Sequence, residues 1–281
     1  MANGRICILG AGNMGRALIG GLLRSGTAPE RLCAGESLPA AREALAREFG
    51  VAATADNHAA IDGAAVVVLA VKPQQAVAML GALAGRLGAA RPLVISVMAG
   101  VRIAALECAC GPGVPLVRAM PNRPALIGAG ATGLYARPSI GAPQRAAAER
   151  VLSAVGEIVW VSDEAMLDVV TALSGSGPAY FFLLAELMAE AGRQLGLEGA
   201  LAQRLAAATL RGSGLLVQSG DADLARLRAE VTSPGGTTEA AVRALEAAGL
   251  GRAVQQALAA ATQRSRELAA AGAIQPGPER A

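Results

Sequence analysis

A short apolar run, Arg5-Ile6-Cys7-Ile8-Leu9, passes directly into Gly10-Ala11-Gly12-Asn13-Met14-Gly15, and a helical pattern follows. Gly-x-Gly-x-x-Gly between a strand and a helix is the turn that binds dinucleotides. Gly10 permits the tight turn, Gly12 lets the backbone approach a pyrophosphate, and Gly15 lets helix and strand pack closely. The helix N-terminus presents unpaired N–H groups and the positive end of its dipole to the phosphates. The second predicted strand ends Cys33-Ala34-Gly35-Glu36-Ser37, which puts a carboxylate about 20 residues beyond the glycines, where a Rossmann unit meets the adenosine ribose. Two readings of Glu36 stay open. Facing the ribose, it favours NAD and repels a 2′-phosphate. Turned away, it leaves room for that phosphate beside Gly35 and Ser37, with Arg42 as the partner.

The fourth predicted strand ends Leu69-Ala70-Val71-Lys72-Pro73, and the fifth ends Ser96-Val97-Met98-Ala99-Gly100. Ligands of open α/β sheets bind outside the carboxyl ends of the strands, so both segments are placed to touch a cofactor. Of the 25 basic residues only Lys72 is a lysine. It reads either as a compact three-donor ammonium that arginine cannot imitate, or as a solvated loop lysine retained by chance. Two further segments, Leu173–Tyr180 and Val231–Glu239, combine glycines with hydroxyls at predicted helix starts. Each reads as an anion nest for a substrate carboxylate or as an ordinarily capped helix start. Ser233, Gly236, Thr237 and Thr238 belong to the second.

Oxidation of an alcohol usually needs a general base, most often His or Lys. The one histidine, His58, and the one lysine both lie in the first half. Reduction of a C=N bond has a smaller requirement, because a protonated imine already attracts hydride. Such a site needs orientation, a carboxylate clamp and a hydroxyl near the nitrogen. The Ser/Thr segments and Glu164 supply those groups, so the missing base tilts the chemistry toward imine reduction.

These residues need a scaffold. Strand and helix signals alternate over residues 1–162, with strands near 5–10, 31–35, 51–54, 65–71, 93–97, 115–119, 132–136 and 157–161. Helical stretches fall near 13–25, 39–49, 73–87, 102–108 and 143–155. Alternation predicts a parallel sheet covered on both faces, and short Pro/Gly connections among the later strands allow an antiparallel edge. From Asp163 to about residue 271 the pattern is helical, with breaks at Gly175–Pro178, Gly196–Gly199, Gly220-Asp221 and Ser233–Gly236. The expected fold is therefore an α/β Rossmann-type N-terminal domain, 1–162, plus an all-α C-terminal dimerisation domain, 163–281. The helix over 178–195 is apolar almost all round, which suits a domain centre or a subunit interface. A homodimer is expected, because an Ala-rich helical half makes a thin core alone. The tail 273–281 reads as frayed.

More than half the residues are apolar, and only one Trp, two Tyr and three Phe are aromatic, so the core must be aliphatic. A net charge of +3 and few aromatics give no nucleic-acid signature. No apolar run reads as a membrane span, and the N-terminus lacks a signal-peptide pattern. Cys7, Cys33, Cys108 and Cys110 lack metal-ligand spacing; with a single histidine no metal site is expected. Their usage suits a reducing cytoplasm.

Taken together, Gly10–Gly15, Ala70–Pro73, Met120-Pro121-Asn122, Thr171–Tyr180 and Val231–Thr238 resemble the pyrroline-5-carboxylate reductases over nearly the whole chain. The last two motifs in combination are highly specific. The resemblance implies hydride transfer from NADPH or NADH to C5 of 1-pyrroline-5-carboxylate, giving L-proline. It implies interlocked homodimers, sometimes built into rings of dimers, with the active site at the subunit interface. By matching position it assigns the cofactor to Gly10, Ala11, Gly12, Asn13, Met14, Gly15, Gly35, Glu36, Ser37, Asn57, Ala70, Val71, Lys72, Pro73 and Ala99. Thr238 is implied as the catalytic contact to the ring nitrogen. Amides near Gly236 and Thr237 hold the carboxylate, with Ser233 in the same turn and Glu164 beside the substrate. Acidic Glu36 and Glu230 depart from the pattern of NADPH-preferring relatives. Two rivals remain at this point: a β-hydroxyacid-dehydrogenase-like enzyme or imine reductase for another small substrate, and a nucleotide-binding protein without turnover. The first relies on a lysine in its helical part, which this chain lacks.

Overall fold

A computed structural model describes residues 4–220 and 223–271. Asp221 of the expected Gly220-Asp221 break and the expected frayed tail 273–281 lie outside them. The chain forms two compact units, one running to Gly175 and resuming at Ala261, the other spanning Ser176–Ala260.

The first unit is built on β1 (Arg5–Leu9), β2 (Leu32–Gly35), β3 (Ala52–Thr54), β4 (Ala64–Leu69), β5 (Leu93–Ser96), β6 (Leu116–Met120), β7 (Gly130–Ala136) and β8 (Gly156–Trp160). They form one sheet in the order β3-β2-β1-β4-β5-β6-β7-β8. Pairing is parallel throughout except between β6 and β7. The antiparallel edge allowed by the sequence is thus two strands: β7 runs against β6, and β8, parallel to β7, shares its direction. Alternation along the strands divides the core in two. Ile6, Ile8, Val66 and Val68 face one aliphatic cluster. Cys7, Leu9, Val67 and Leu69 face the other. Both faces are therefore buried, as a parallel sheet requires.

The helices of this unit are α1 (Asn13–Arg24), α2 (Pro39–Phe49), α3 (Asn57–Ile61), α4 (Pro73–Ala90), α5 (Ile103–Cys110), α6 (Ala142–Leu152) and α7 (Met166–Val170). Leu18, Ile19 and Leu22 of α1 pack with Ala147, Ala148 and Val151 of α6 in one cluster. Leu80, Leu83 and Leu87 of α4 pack in the other with Leu106 of α5. The five-residue α3 escaped the periodicity reading, being too short to show a period. Its signal was Asp56, whose carboxylate accepts the His58 N–H at 2.9 Å and caps the helix.

The second unit contains α8 (Gly177–Gln194), α9 (Gly199–Gln218), α10 (Leu224–Glu230), α11 (Thr237–Ala247) and the first part of α12 (Leu250–Ala271). The expected break at Gly175–Pro178 is instead a π turn, Thr171–Gly175, running on toward α8. Pro178 falls in the first turn of α8, where no N–H is needed, and the glycines do not interrupt the helix. By length and composition alone, the resulting run Met166–Gln194 is sufficient to cross a membrane, which the sequence reading did not anticipate because it placed a break there. Phe181, Phe182, Leu183, Leu184, Leu187 and Met188 of α8 are exposed in the single chain.

Two glycines join the sheet edge. Gly156 pairs with Gly130, has φ +144°, and holds its α-carbon so close that a Cβ would overlap the Gly130 backbone. Gly156→Ala is expected to cost about 3 kcal/mol of stability, read as a lower urea midpoint.

Candidate active site

The glycine-rich turn leaves β1 where its neighbours diverge to β2 on one side and β4 on the other. That is the switch point at which open α/β sheets bind ligands. Gly10 N–H donates to Gly35 O at 2.8 Å, Ala70 N–H to Leu9 O at 2.8 Å, and Val97 N–H to Leu69 O at 3.1 Å. Four strand ends are so stitched side by side. Gly10 has φ +101°, and a Cβ on it would lie 2.7 Å from Ala70 O. A Cβ on Gly15 would overlap the Gly10 carbonyl, whereas one on Gly12 would meet nothing within 4 Å. Gly12 is the N-cap of α1 and no side chain caps that end. The amides of Asn13, Met14 and Gly15 thus lack helical acceptors. Open space at Gly12 and uncapped donors behind it fit a pyrophosphate.

The other positions expected to hold a cofactor follow the ends of neighbouring strands. The Glu36 carboxylate accepts Ala11 N–H at 2.8 Å and Leu38 N–H at 2.9 Å. Arg42 donates to the carbonyls of Glu36 and Ser37, each at 2.8 Å. Asn57 starts α3 with its Oδ1 against Gly35, where a Cβ would collide with it. Ala70 and Val71 follow β4, Lys72 is the N-cap of α4, and Pro73 opens that helix. The turn Met98-Ala99-Gly100 follows β5; Gly100 has φ +75°, and its Cβ position lies 3.6 Å from the backbone nitrogen of Ala269 in α12.

Glu164 is engaged elsewhere in the first unit. One oxygen of its carboxylate, Oε1, accepts Arg118 Nη1 and the Ile103 N–H, each at 2.7 Å. Asp168 continues the network, accepting Arg102 Nη2 at 2.6 Å and the Ser265 hydroxyl at 2.8 Å. Arg118 and Asp168 are 5% and 2% exposed, so each charge depends on its partner for compensation. Burial pulls the Arg118 guanidinium below the ordinary arginine range, and Glu164 opposes that fall. Arg102, Arg118, Asp168 and Ser265 were not singled out in the sequence. A charge inside the otherwise apolar strand Leu116–Met120, and another inside Met166–Val170, were the available signals.

Ser233, Gly236, Thr237 and Thr238 form a separate group in the second unit. Gly236 N–H donates to Ser233 O at 3.0 Å, and Gly235 adopts φ +70° with its N–H on Glu239 Oε2 at 2.8 Å. Gly236 is the N-cap of α11 with no side-chain cap, so the amides of Thr237 and Thr238 lack helical acceptors. The other candidate nest differs. Leu173–Gly175 lie within the π turn, and Ser176 has helical φ and ψ, so this segment offers no loop-like cradle. Asn122 anchors it, donating to Ser174 O at 2.9 Å while accepting Ala131 N–H at 2.8 Å.

Comparison with known proteins bears on this geometry. Residues 164–268 match a family model described as pyrroline-5-carboxylate reductase dimerisation. Residues 5–100 match one described as NADP oxidoreductase, coenzyme F420-dependent. The pyrroline-5-carboxylate reductase of Pseudomonas aeruginosa is 46% identical over 96% of this chain and 98% of its own. The chain belongs to the pyrroline-5-carboxylate reductase family. A solved pyrroline-5-carboxylate reductase of Coxiella burnetii superposes with a TM-score of 0.92 at 39% identity, covering 95% of this chain and 98% of that one. The Plasmodium falciparum pyrroline carboxylate reductase, solved with NADP bound, has a TM-score of 0.79 at 27% identity, with 96% and 99% covered. The Rossmann-type sheet and the helical dimerisation module expected from the sequence of this pyrroline-5-carboxylate reductase family member are thereby established.

Removing one partner of the Glu164 pair leaves Arg118 buried and uncompensated. Glu164→Ala is expected to cost about 3 kcal/mol, the low end of the range because Glu164 is itself partly exposed. Urea denaturation measures it; wild-type stability would show that Arg118 finds another partner.

Proposed function

We propose that this protein reduces 1-pyrroline-5-carboxylate to L-proline, the last step of proline biosynthesis. The observation that carries the reading is the uncapped glycine turn at the β1/β4 switch point in a chain of this family. The bound nicotinamide nucleotide, NADH or NADPH, supplies the hydride. The chain's residues bind and orient. Gly10 to Gly15 receive the pyrophosphate; Gly35, Glu36, Ser37 and Asn57 line the adenosine side; Ala70, Val71, Lys72, Pro73 and Ala99 line the nicotinamide side.

For the substrate, the α11 amides at Gly236 and Thr237 hold the carboxylate, with Ser233 shaping their turn. The Thr238 hydroxyl meets the ring nitrogen, a contact that strengthens as that nitrogen becomes an amine. Glu164 acts beside the substrate through the Arg118 network. No general base is required of the second half, in keeping with a substrate that is electrophilic once protonated.

The functional division falls at about residue 162, a reading supported by the family match beginning at residue 164. The chain works as a homodimer, with a ring of dimers as the higher assembly. The exposed apolar residues of α8, within the segment matched by the dimerisation model, support pairing with a second subunit. The cysteines among the described residues carry no disulfide, which suits a cytoplasmic enzyme.

Purified protein is expected to form proline from pyrroline-5-carboxylate with at least one nucleotide; no proline with either would reject the activity. Thr238→Ala is expected to lower kcat about tenfold or more while leaving nucleotide affinity near wild type. Unchanged turnover would remove Thr238 from the reaction.

A further inference from the structure

Resting on that reading, we infer that Glu36 makes this enzyme select NADH over NADPH, by presenting a fixed carboxylate to the position of the ribose 2′ group. The backbone of Glu36 cannot swing away freely. Its N–H donates to Thr54 O at 2.9 Å, and the preceding Gly35 carbonyl accepts Gly10 N–H at 2.8 Å. Gly35 is packed from behind by Asn57 and Leu9, which leave no room for a side chain there.

The carboxylate is held as well. Oε2 takes the Ala11 amide of the pyrophosphate turn at 2.8 Å, and Oε1 takes the Leu38 amide at 2.9 Å. Of the two arrangements open from sequence, the side chain adopts the inward one, lying over the glycine turn. A carboxylate has about four acceptor sites, so capacity remains for the two hydroxyls of an unmodified ribose. A dianionic 2′-phosphate has no donor to offer and would lie beside the negative charge of the carboxylate.

Arg42 bonds the loop backbone rather than the Glu36 carboxylate. Arg42 Nη1 donates to the carbonyls of both Glu36 and Ser37 at 2.8 Å, which pins the loop. Among the described residues, Arg42 makes no ion pair with the Glu36 carboxylate. The negative charge therefore faces the ribose position without a paired cation.

The test is equilibrium titration with NADH and NADPH in the absence of substrate, read by reduced-nicotinamide fluorescence. Wild-type protein is expected to bind NADH about tenfold more tightly at low salt, the gap narrowing as about 0.5 M salt screens the repulsion. Glu36→Ser is expected to shrink the ratio through tighter NADPH binding, and Glu36→Gln to do so with side-chain size kept. NADPH binding as tightly as NADH to wild type would overturn the inference, and needs no variant. An unaltered ratio in a Glu36→Ser protein with a wild-type circular dichroism spectrum would overturn it too. Preferential NADH binding without proline formation would reject the proposed reaction while upholding the role of Glu36.

Discussion

The carbonyl oxygen of Gly10 occupies the space a side chain on Gly15 would need. That single close approach sets the distance between α1 and the strand it follows. With α1 lowered onto the sheet, Leu18 and Ile19 reach the same cluster as Ile6 and Ile8, and the helix start sits at the rim rather than above it. Gly10, forced into a positive φ against Ala70 O, then turns the chain so that Ala11 N–H meets Glu36. Packing of a backbone against a backbone thus decides where the start of α1 and the Glu36 carboxylate stand relative to one another. The architecture of the rest of the sheet follows from burying both of its faces.

Local order was legible from sequence to the degree that it is local. Apolar runs bounded by Gly and Pro marked all eight strands, and Gly10–Gly15 marked the tight turn from β1 into α1. What sequence could not disclose is pairing across long separations. Arg118 meets Glu164 46 positions away, Arg102 meets Asp168 66 away, and Ser265 meets Asp168 97 away. Nothing in the composition around Ser265 distinguishes it from other helix hydroxyls. The π turn was hidden for a different reason. Gly175 and Pro178 are breakers by propensity, but the hydroxyls of Thr171 and Ser174 bond back to Leu167 O and Val170 O at 2.7 and 3.0 Å, and Asn122 takes the carbonyl left over. Side chains supplied what the helical backbone lost.

The two halves carry their apolar surface differently. The first unit is sealed by Leu, Ile and Val, with Ile8, Leu9, Leu18 and Leu69 fully buried. In the second, small residues such as Ala202 and Ala206 are buried while the large ones stay outside: Leu184 and Leu187 are 43% and 57% exposed. Ala-on-Ala contact brings helices close but removes little apolar area. Much of the apolar surface of this half therefore stays exposed in a single chain, in keeping with the dimerisation match of residues 164–268.

The last helix carries a further implication. Its C-terminal part belongs to the first compact unit; Ser265 is bonded to Asp168 and Ala269 packs at Gly100. During synthesis the strands can align as they leave the ribosome, yet the turn after β5 keeps an uncovered flank until residues beyond Ala261 emerge. The first unit is consequently closed only when a segment distant in sequence returns to it, and removing the residues from Ala261 onward would uncover the turn after β5.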